Sequence, residues 1–252
     1  MRLGLVTYNL AKDWDLETIL RNCEETRFEG VELRTTHAHG VEVSLSASQR
    51  AEVKARFADS PVDLVGLGSA FEFHSPDAGK LRANIEGTKE YVILARDVGA
   101  PGVKVRPNAL PEGISEEQTL EQIGRALREC AAFAADHGVE LRLEVHGRDT
   151  CQVPRIRTII EHADHPNAKV CWNCNPQDLD GPGFDTNFDS VASKIALVHM
   201  RDLYEEEYPW RKLFQRLRAI DYDGFCLAEI AESSDPLRVM PYYRALFLAL
   251  QE

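Results

Sequence analysis

Apolar and polar positions along this chain alternate first with the period of a strand and then with that of a helix, and the pair recurs. Residues 3–8 read as a strand, followed by a helix that Asp13 or Asp15 can cap and that runs to about Phe28. Strand 31–34 then precedes helix 46–59, and strand 62–67 precedes a helix opened by Ser75-Pro76-Asp77 and ending at Val98. Strand 102–106 leads to a helix with Ser115 and Gln118 spaced as a capping box and Gly138 at its end. Strand 139–147 is followed by helix 154–163. Strand 169–173 is followed by a Gly/Asp/Asn-rich loop over 178–187 and a short helix. Strand 195–199 with helix 209–220, and strand 225–229 with helix 236–250, complete the series. Gly30, Gly102, Gly138 and Gly224 each stand where a helix gives way to a strand, the place of a glycine cap.

Eight β/α units in 252 residues predict one α/β domain, a (β/α)8 TIM barrel spanning 1–252. No linker or shift of composition divides the chain. A doubly wound open sheet is the competing architecture, but no Gly-x-Gly-x-x-Gly follows the first strand.

The stretch Val139-Glu140-Leu141-Arg142-Leu143-Glu144-Val145-His146-Gly147 shows the strand period most clearly. Its odd positions are apolar. Its even positions end in a carboxylate and an imidazole two residues apart. Spacing alone fits a metal or proton-transfer site as well as it fits a half-exposed edge strand with a wet polar face.

Composition narrows the function. The chain is 44% hydrophobic and 28% charged, with 41 acidic against 29 basic residues and a net charge of −12. Nucleic acid is excluded as the expected partner, because binding it needs basic residues to neutralise phosphates. A small substrate in a locally basic pocket is not. No apolar run reaches membrane-spanning length, and the first residues are too soon broken for a signal peptide. Six cysteines without a framework pattern read as reduced thiols, so the expected location is cytoplasmic. A homo-oligomer is compatible with the sequence, which does not specify one.

A barrel of this kind turns side chains at the C-terminal ends of its strands toward one site. By parity these are Glu32 and Arg34, Lys104 and Arg106, Glu144 and His146, Asn173 and Asn175, His199 and Arg201, and Glu229. Buried together, such groups must pair, bind a metal or bind a ligand. Glu32 with Arg34 fits a plain buried salt bridge, Lys104 or Arg106 fits a partner for Glu32, and His199 alone fits a satisfied core histidine. Two motifs read as decoys. Cys171-Trp172-Asn173-Cys174 has the Cys-x-x-Cys spacing but no second pair, and it lies on a strand. His37-Ala38-His39 follows the second strand, where metal-dependent hydrolases place such a motif after the first, and reads as a substrate-loop element or a solvated turn.

Four motifs in order carry a resemblance over nearly the whole chain. They are Phe28-Glu29-Gly30-Val31-Glu32-Leu33, Glu144-Val145-His146-Gly147, Val198-His199-Met200-Arg201-Asp202, and Tyr222-Asp223-Gly224-Phe225 leading to Glu229. In these the chain resembles the xylose isomerase-like barrel superfamily, in the branch called sugar phosphate isomerases/epimerases. The resemblance implies a small carbohydrate substrate and one divalent cation (Mn, Mg, Co or Zn) held by Glu144, Asn173, His199 and Glu229. Asn173 stands where Asp is usual, and Pro176 where a His is frequent. An amide oxygen still ligates a hard cation, with two carboxylates in place of three and a weaker hold. The implied chemistry is proton transfer beside a carbonyl through an enediolate, with Glu144 and Glu229 moving the proton. His146 would serve a substrate hydroxyl. Arg34, Lys104 and Arg106 would neutralise an acidic or phosphorylated end or the enediolate, and Glu32, His37, Asn175 and Arg201 complete the substrate-facing set. A keto-sugar lyase or dehydratase would use the same parts. A non-catalytic sugar-binding barrel would follow if Asn173 abolished metal binding. An endonuclease-type hydrolase needs more His and Asp than these strands carry.

Overall fold

The structure, a computed structural model, describes residues 1–252. Eight strands close into one parallel barrel in chain order. They are β1 (Arg2–Val6), β2 (Gly30–Arg34), β3 (Asp63–Glu72), β4 (Gly102–Arg106), β5 (Glu140–Glu144), β6 (Ala168–Asn173), β7 (Ile195–Met200) and β8 (Phe225–Ala228). The helices that return the chain are α1 (Leu16–Thr26), α2 (Ala47–Ala58), α3 (Ala78–Val98), α4 (Glu116–Ala135), α5 (Val153–Ala163), α6 (Phe184–Val191), α7 (Trp210–Ala219) and α8 (Pro236–Ala249). No helix is long and apolar enough to cross a membrane.

Every strand is therefore covered on both faces, and β5 is no edge strand: it pairs with β4 and β6. Its odd residues Leu141 and Leu143 are fully buried against the helical shell. Each such leucine contributes about 1.5–3 kcal/mol of burial. Its even residues Arg142 and Glu144 are just as buried but face the barrel axis, 5% and 2% exposed. Period-2 alternation here separates two buried environments, an apolar shell and a mixed interior. A small apolar cluster, Val6, Val65, Cys171, Leu197 and Leu227, fills the middle of that interior. Polar side chains take the level above it.

The caps follow their residues. Asp15, one of the two expected caps, accepts from the Thr18 N–H at 2.8 Å. At Ser115 only half of the expected box forms, the Gln118 N–H donating to Oγ at 3.2 Å. The complete reciprocal box is at Ser46 and Gln49. Of the four junction glycines only Gly138 has left-handed backbone, with φ +68°. The reason at Gly102 is space, since a Cβ there would lie 2.5 Å from the Arg142 guanidinium.

β3 outruns its expected end at residue 67 by five residues. Polar contacts hold the extension where no apolar alternation marks it: Ser69 Oγ donates to Lys104 O at 2.6 Å, and Asn84 Oδ1 accepts from the Glu72 N–H at 3.1 Å. Conversely β5 ends at Glu144, so His146 belongs to the loop that follows.

Candidate active site

Glu144 closes β5 on the inner parity, and β6 and β7 place Asn173 opposite His199 in register. Glu229 follows β8 by one residue, its backbone N–H on Met200 O at 2.8 Å extending the ladder with β7. These strand ends bring three donors together: Glu144, His199 and Glu229 offer atoms that all lie within 4.8 Å of one another. His199 Nδ1 is 3.6 Å from Glu144 Oε1 and 3.7 Å from Glu229 Oε2. Asn173 joins from β6, its Nδ2 at 3.3 Å from Glu144 Oε1.

The remaining inward candidates surround this centre. Lys104 Nζ donates to Glu144 Oε2 at 2.7 Å, and both side chains are buried. A cavity of about 310 Å³ opens above them. Arg34, Lys104, Arg106 and Arg201 line it with the carboxylates of Glu144 and Glu229, and His146, Asn173 and Asn175 complete its polar wall. A basic pocket in a chain of net charge −12 is thus present. Arg106 leans on Glu72 at 3.7 Å and Arg201 on Glu205 at 2.7 Å. Arg34 lies over the Tyr8 ring, 5.0 Å from its centroid. Tyr8 is a lining residue the sequence reading passed over. Inward parity on β1, continued from Gly4 and Val6, would have found it.

Three expected site residues stand off the cavity wall. His199 and Glu32 lie beneath it, 0% and 1% exposed. His37 sits behind Arg34, its Nδ1 on Thr7 Oγ1 at 3.0 Å and its Nε2 on Arg34 Nη1 at 3.3 Å. Partial burial, with the neighbouring guanidinium, pushes its pKa down to about 4, so it is a neutral support for Arg34. His39, expected with His37 in a substrate loop or solvated turn, is buried as a staple. Its Nε2–H donates to Arg34 O at 2.7 Å and its Nδ1 accepts the Val41 N–H at 3.0 Å. The Cys-x-x-Cys is split between two cores, Cys171 inside the barrel and Cys174 in the outer shell, which rules out a chelating pair. All six cysteines are free.

Charge placement sets protonation. Burial alone would raise the Glu144 carboxyl, but the Lys104 ammonium and His199 outweigh it and hold it well below the usual range. Glu32 behaves alike, with burial opposed mainly by His199. Burial disfavours an imidazolium at His199, yet the Glu32 and Glu144 carboxylates press its pKa well above the ordinary value, so in the metal-free protein the ring holds a second proton on Nδ1 that a bound cation would replace. His146, by contrast, is pushed down by burial and is neutral near pH 7. Its placement depends on Gly147 (φ +97°), where any Cβ would overlap Asn108 O at 2.0 Å.

These donors fit a divalent cation. Oxygen and nitrogen ligands at about 2.0–2.4 Å from one ion stand no more than about 4.8 Å apart, a limit that these three donors meet. His199 Nδ1, fully buried and aimed between two carboxylates, has no hydrogen-bond partner in the protein, a costly arrangement that a cation would relieve.

A family model described as xylose isomerase-like TIM barrel matches residues 20–245. No curated protein is similar enough in sequence to match. Among solved structures, D-psicose 3-epimerase from Clostridium cellulolyticum H10 superposes with TM-score 0.83 at 15% identity, covering 100% of both chains. The 3-keto-D-glucoside 4-epimerase from E. coli gives 0.82 at 16% identity over 99% of each chain. The IOLI protein, solved with a zinc atom, gives 0.80 at 14% identity over 99% of this chain and 96% of that one. At such identities the likeness establishes the fold.

Proposed function

This chain belongs to the xylose isomerase-like TIM barrels, and from that premise we propose that it is a divalent-metal-dependent isomerase or epimerase of a small keto-sugar or sugar phosphate. The observation that carries the reading is the Glu144–His199–Glu229 cluster at the floor of a polar cavity. Epimerases of the same fold, and a zinc-bound relative, support it.

When bound at Glu144, Asn173, His199 and Glu229, a dication supplies Lewis-acid polarisation of a substrate carbonyl, which acidifies the α-hydrogen. The chain's own residues divide the rest. Glu144, tied to Lys104 and Asn173, keeps its carboxylate ionised and fixed, so it is the stronger anchor and the weaker base. Glu229 is 20% exposed at the cavity and carries no ammonium or amide donor, and it is the freer of the two to take the α-proton. Glu144 faces the same space; a proton it delivers to the opposite side is drawn from the Lys104 ammonium that donates to it, and solvent in the cavity restores that proton to Lys104. Neutral His146 both donates to and accepts from a substrate hydroxyl. Arg34, Arg106 and Arg201 neutralise oxyanion character at the outer end of the substrate.

The test is wash-in of solvent deuterium at the α-carbon of a panel of keto-sugars and their phosphates, after metal analysis of the purified protein. Glu229→Gln and Glu144→Gln should each reduce exchange by at least about 100-fold, the scale of a general base. Exchange at the wild-type rate in both variants would remove the two residues from the mechanism, and a wild-type protein that takes up no dication would overturn the reading.

A further inference from the structure

The mechanism above leaves Glu32 without a task, and its surroundings are unusual. The side chain is 1% exposed, and neither carboxylate oxygen has a hydrogen-bond partner. Taking a carboxylate out of water costs several kcal/mol, and here the nearby charges of His199 and Lys104, not hydrogen bonds, offset it. Its one ion-pair contact is His199 Nε2, at 3.3 Å from Oε1, within bonding reach but out of hydrogen-bond alignment, so this ring nitrogen too has no other partner. The opposite ring nitrogen, Nδ1, faces Glu144 and Glu229. Glu32, the imidazole and the two carboxylates thus lie in sequence across the barrel, with the ring between them.

The neighbouring strand makes room for this arrangement. Gly66 and Gly68 on β3 flank Glu32, and a Cβ on Gly68 would lie 2.8 Å from Oε1. Neither glycine has positive φ, so backbone conformation does not require them. The β2–β3 register also shifts between Val31 and Glu32. Glycine pair and bulge together clear a slot in which the carboxylate reaches the far side of the ring.

We propose that Glu32 is a positioning residue that keeps the proton of His199 on Nε2, leaving the Nδ1 lone pair directed at the cation site between Glu144 and Glu229. A carboxylate accepts from N–H and cannot donate while ionised, so it selects this tautomer and fixes the ring's rotation. The assignment rests on the metal-dependent reading of the site.

Zinc binding, followed by competition with a chelating dye, tests it on the full chain. Glu32→Leu removes a buried charge and keeps apolar volume, so the fold should persist, while zinc affinity falls 10–100-fold. Glu32→Asp, which keeps a carboxylate, should recover part of the loss. Gly68→Ala, which leaves Glu32 in place but crowds Oε1, should weaken zinc in the same direction. Two-bond proton–nitrogen spectra of the zinc-loaded wild-type protein should show His199 protonated on Nε2 alone. A merely structural Glu32 would shift the melting temperature and leave the zinc affinity of the folded variant unchanged. Affinity of Glu32→Leu within twofold of wild type, or a proton found on Nδ1, would overturn the assignment alone. A wild-type chain that binds no zinc, nor manganese, magnesium or cobalt, would overturn the metal reading and the assignment with it.

Discussion

Asp178 should make the protein less stable as the pH rises toward neutrality, and replacing it with Asn should remove that dependence. Its side chain is fully buried behind the cavity wall, in the one-turn helix Pro176–Leu179. Oδ2 accepts from Tyr208 OH at 2.7 Å and from the Asn175 N–H at 3.0 Å, while Oδ1 has no partner. Burial is the main cause that lifts its pKa from 3.8 to about 7. The sign follows from proton binding. Between those values the folded state holds the proton and the unfolded state does not, so stability is lost with rising pH until about pH 7 and is level above it. At 1.36 kcal/mol per pKa unit, the ionised group costs on the order of 4 kcal/mol at pH 8, of which about 1.7 is already present at pH 5. Asp178→Asn stays neutral and can turn its carbonyl toward Tyr208 and Asn175, but it leaves an amide N–H2 where Oδ1 has no partner. That offsets about 1–3 kcal/mol of the gain at every pH. Urea unfolding of both proteins at pH 5 and pH 8 should therefore show the variant gaining on wild type by about 2.5 kcal/mol over the interval. A difference that does not change with pH would refute the reasoning, because it would mean that Asp178 titrates alike in both states.

Asn173→Asp should raise dication affinity at least about tenfold by adding a third carboxylate, and should lower the stability of the metal-free protein, since the amide now against Glu144 becomes a like charge; calorimetric titration and thermal unfolding with and without metal read both effects. Lys104→Met should destabilise the chain by about 3–5 kcal/mol in denaturant, because it strands a buried Glu144 carboxylate. The loss should shrink in acid as Glu144 protonates, since a carboxyl held low in the folded state contributes stability that disappears as pH falls. A loss that stays constant with pH would mean that Lys104 does not act through Glu144.

Strand order and the inner parity were legible because a closed barrel imposes period 2 on every strand, and residues such as Glu144, Asn173 and His199 keep phase with their apolar neighbours to the strand end. Legibility failed where backbone departs from that period. The extended end of β3 is held by side chain–backbone bonds from Ser69 and Asn84 that leave no apolar trace. His39 has the composition of an exposed turn and is buried because both its nitrogens find backbone partners, a pairing that exists only after the loop has closed. At Gly30, Gly102 and Gly224 a helix-cap reading met the demands of packing: those positions lack a Cβ because a ring or a guanidinium occupies its place.

The same distinction explains how the site divides into parts that sequence could and could not assign. Parity puts Glu32 and Glu144 on one inner surface with equal claim to the substrate, and charge type does not separate them. Depth does. Glu144 meets the cavity beside Lys104, whereas Glu32 lies below it against the opposite nitrogen of His199. What sets that depth is carried by other strands, in the glycines of β3 and the bulge beside Val31, which contribute no functional atom. Two glutamates with the same sequence signature thus come to face opposite sides of one imidazole, and a cation bound at Nδ1 can be in contact with only one of them.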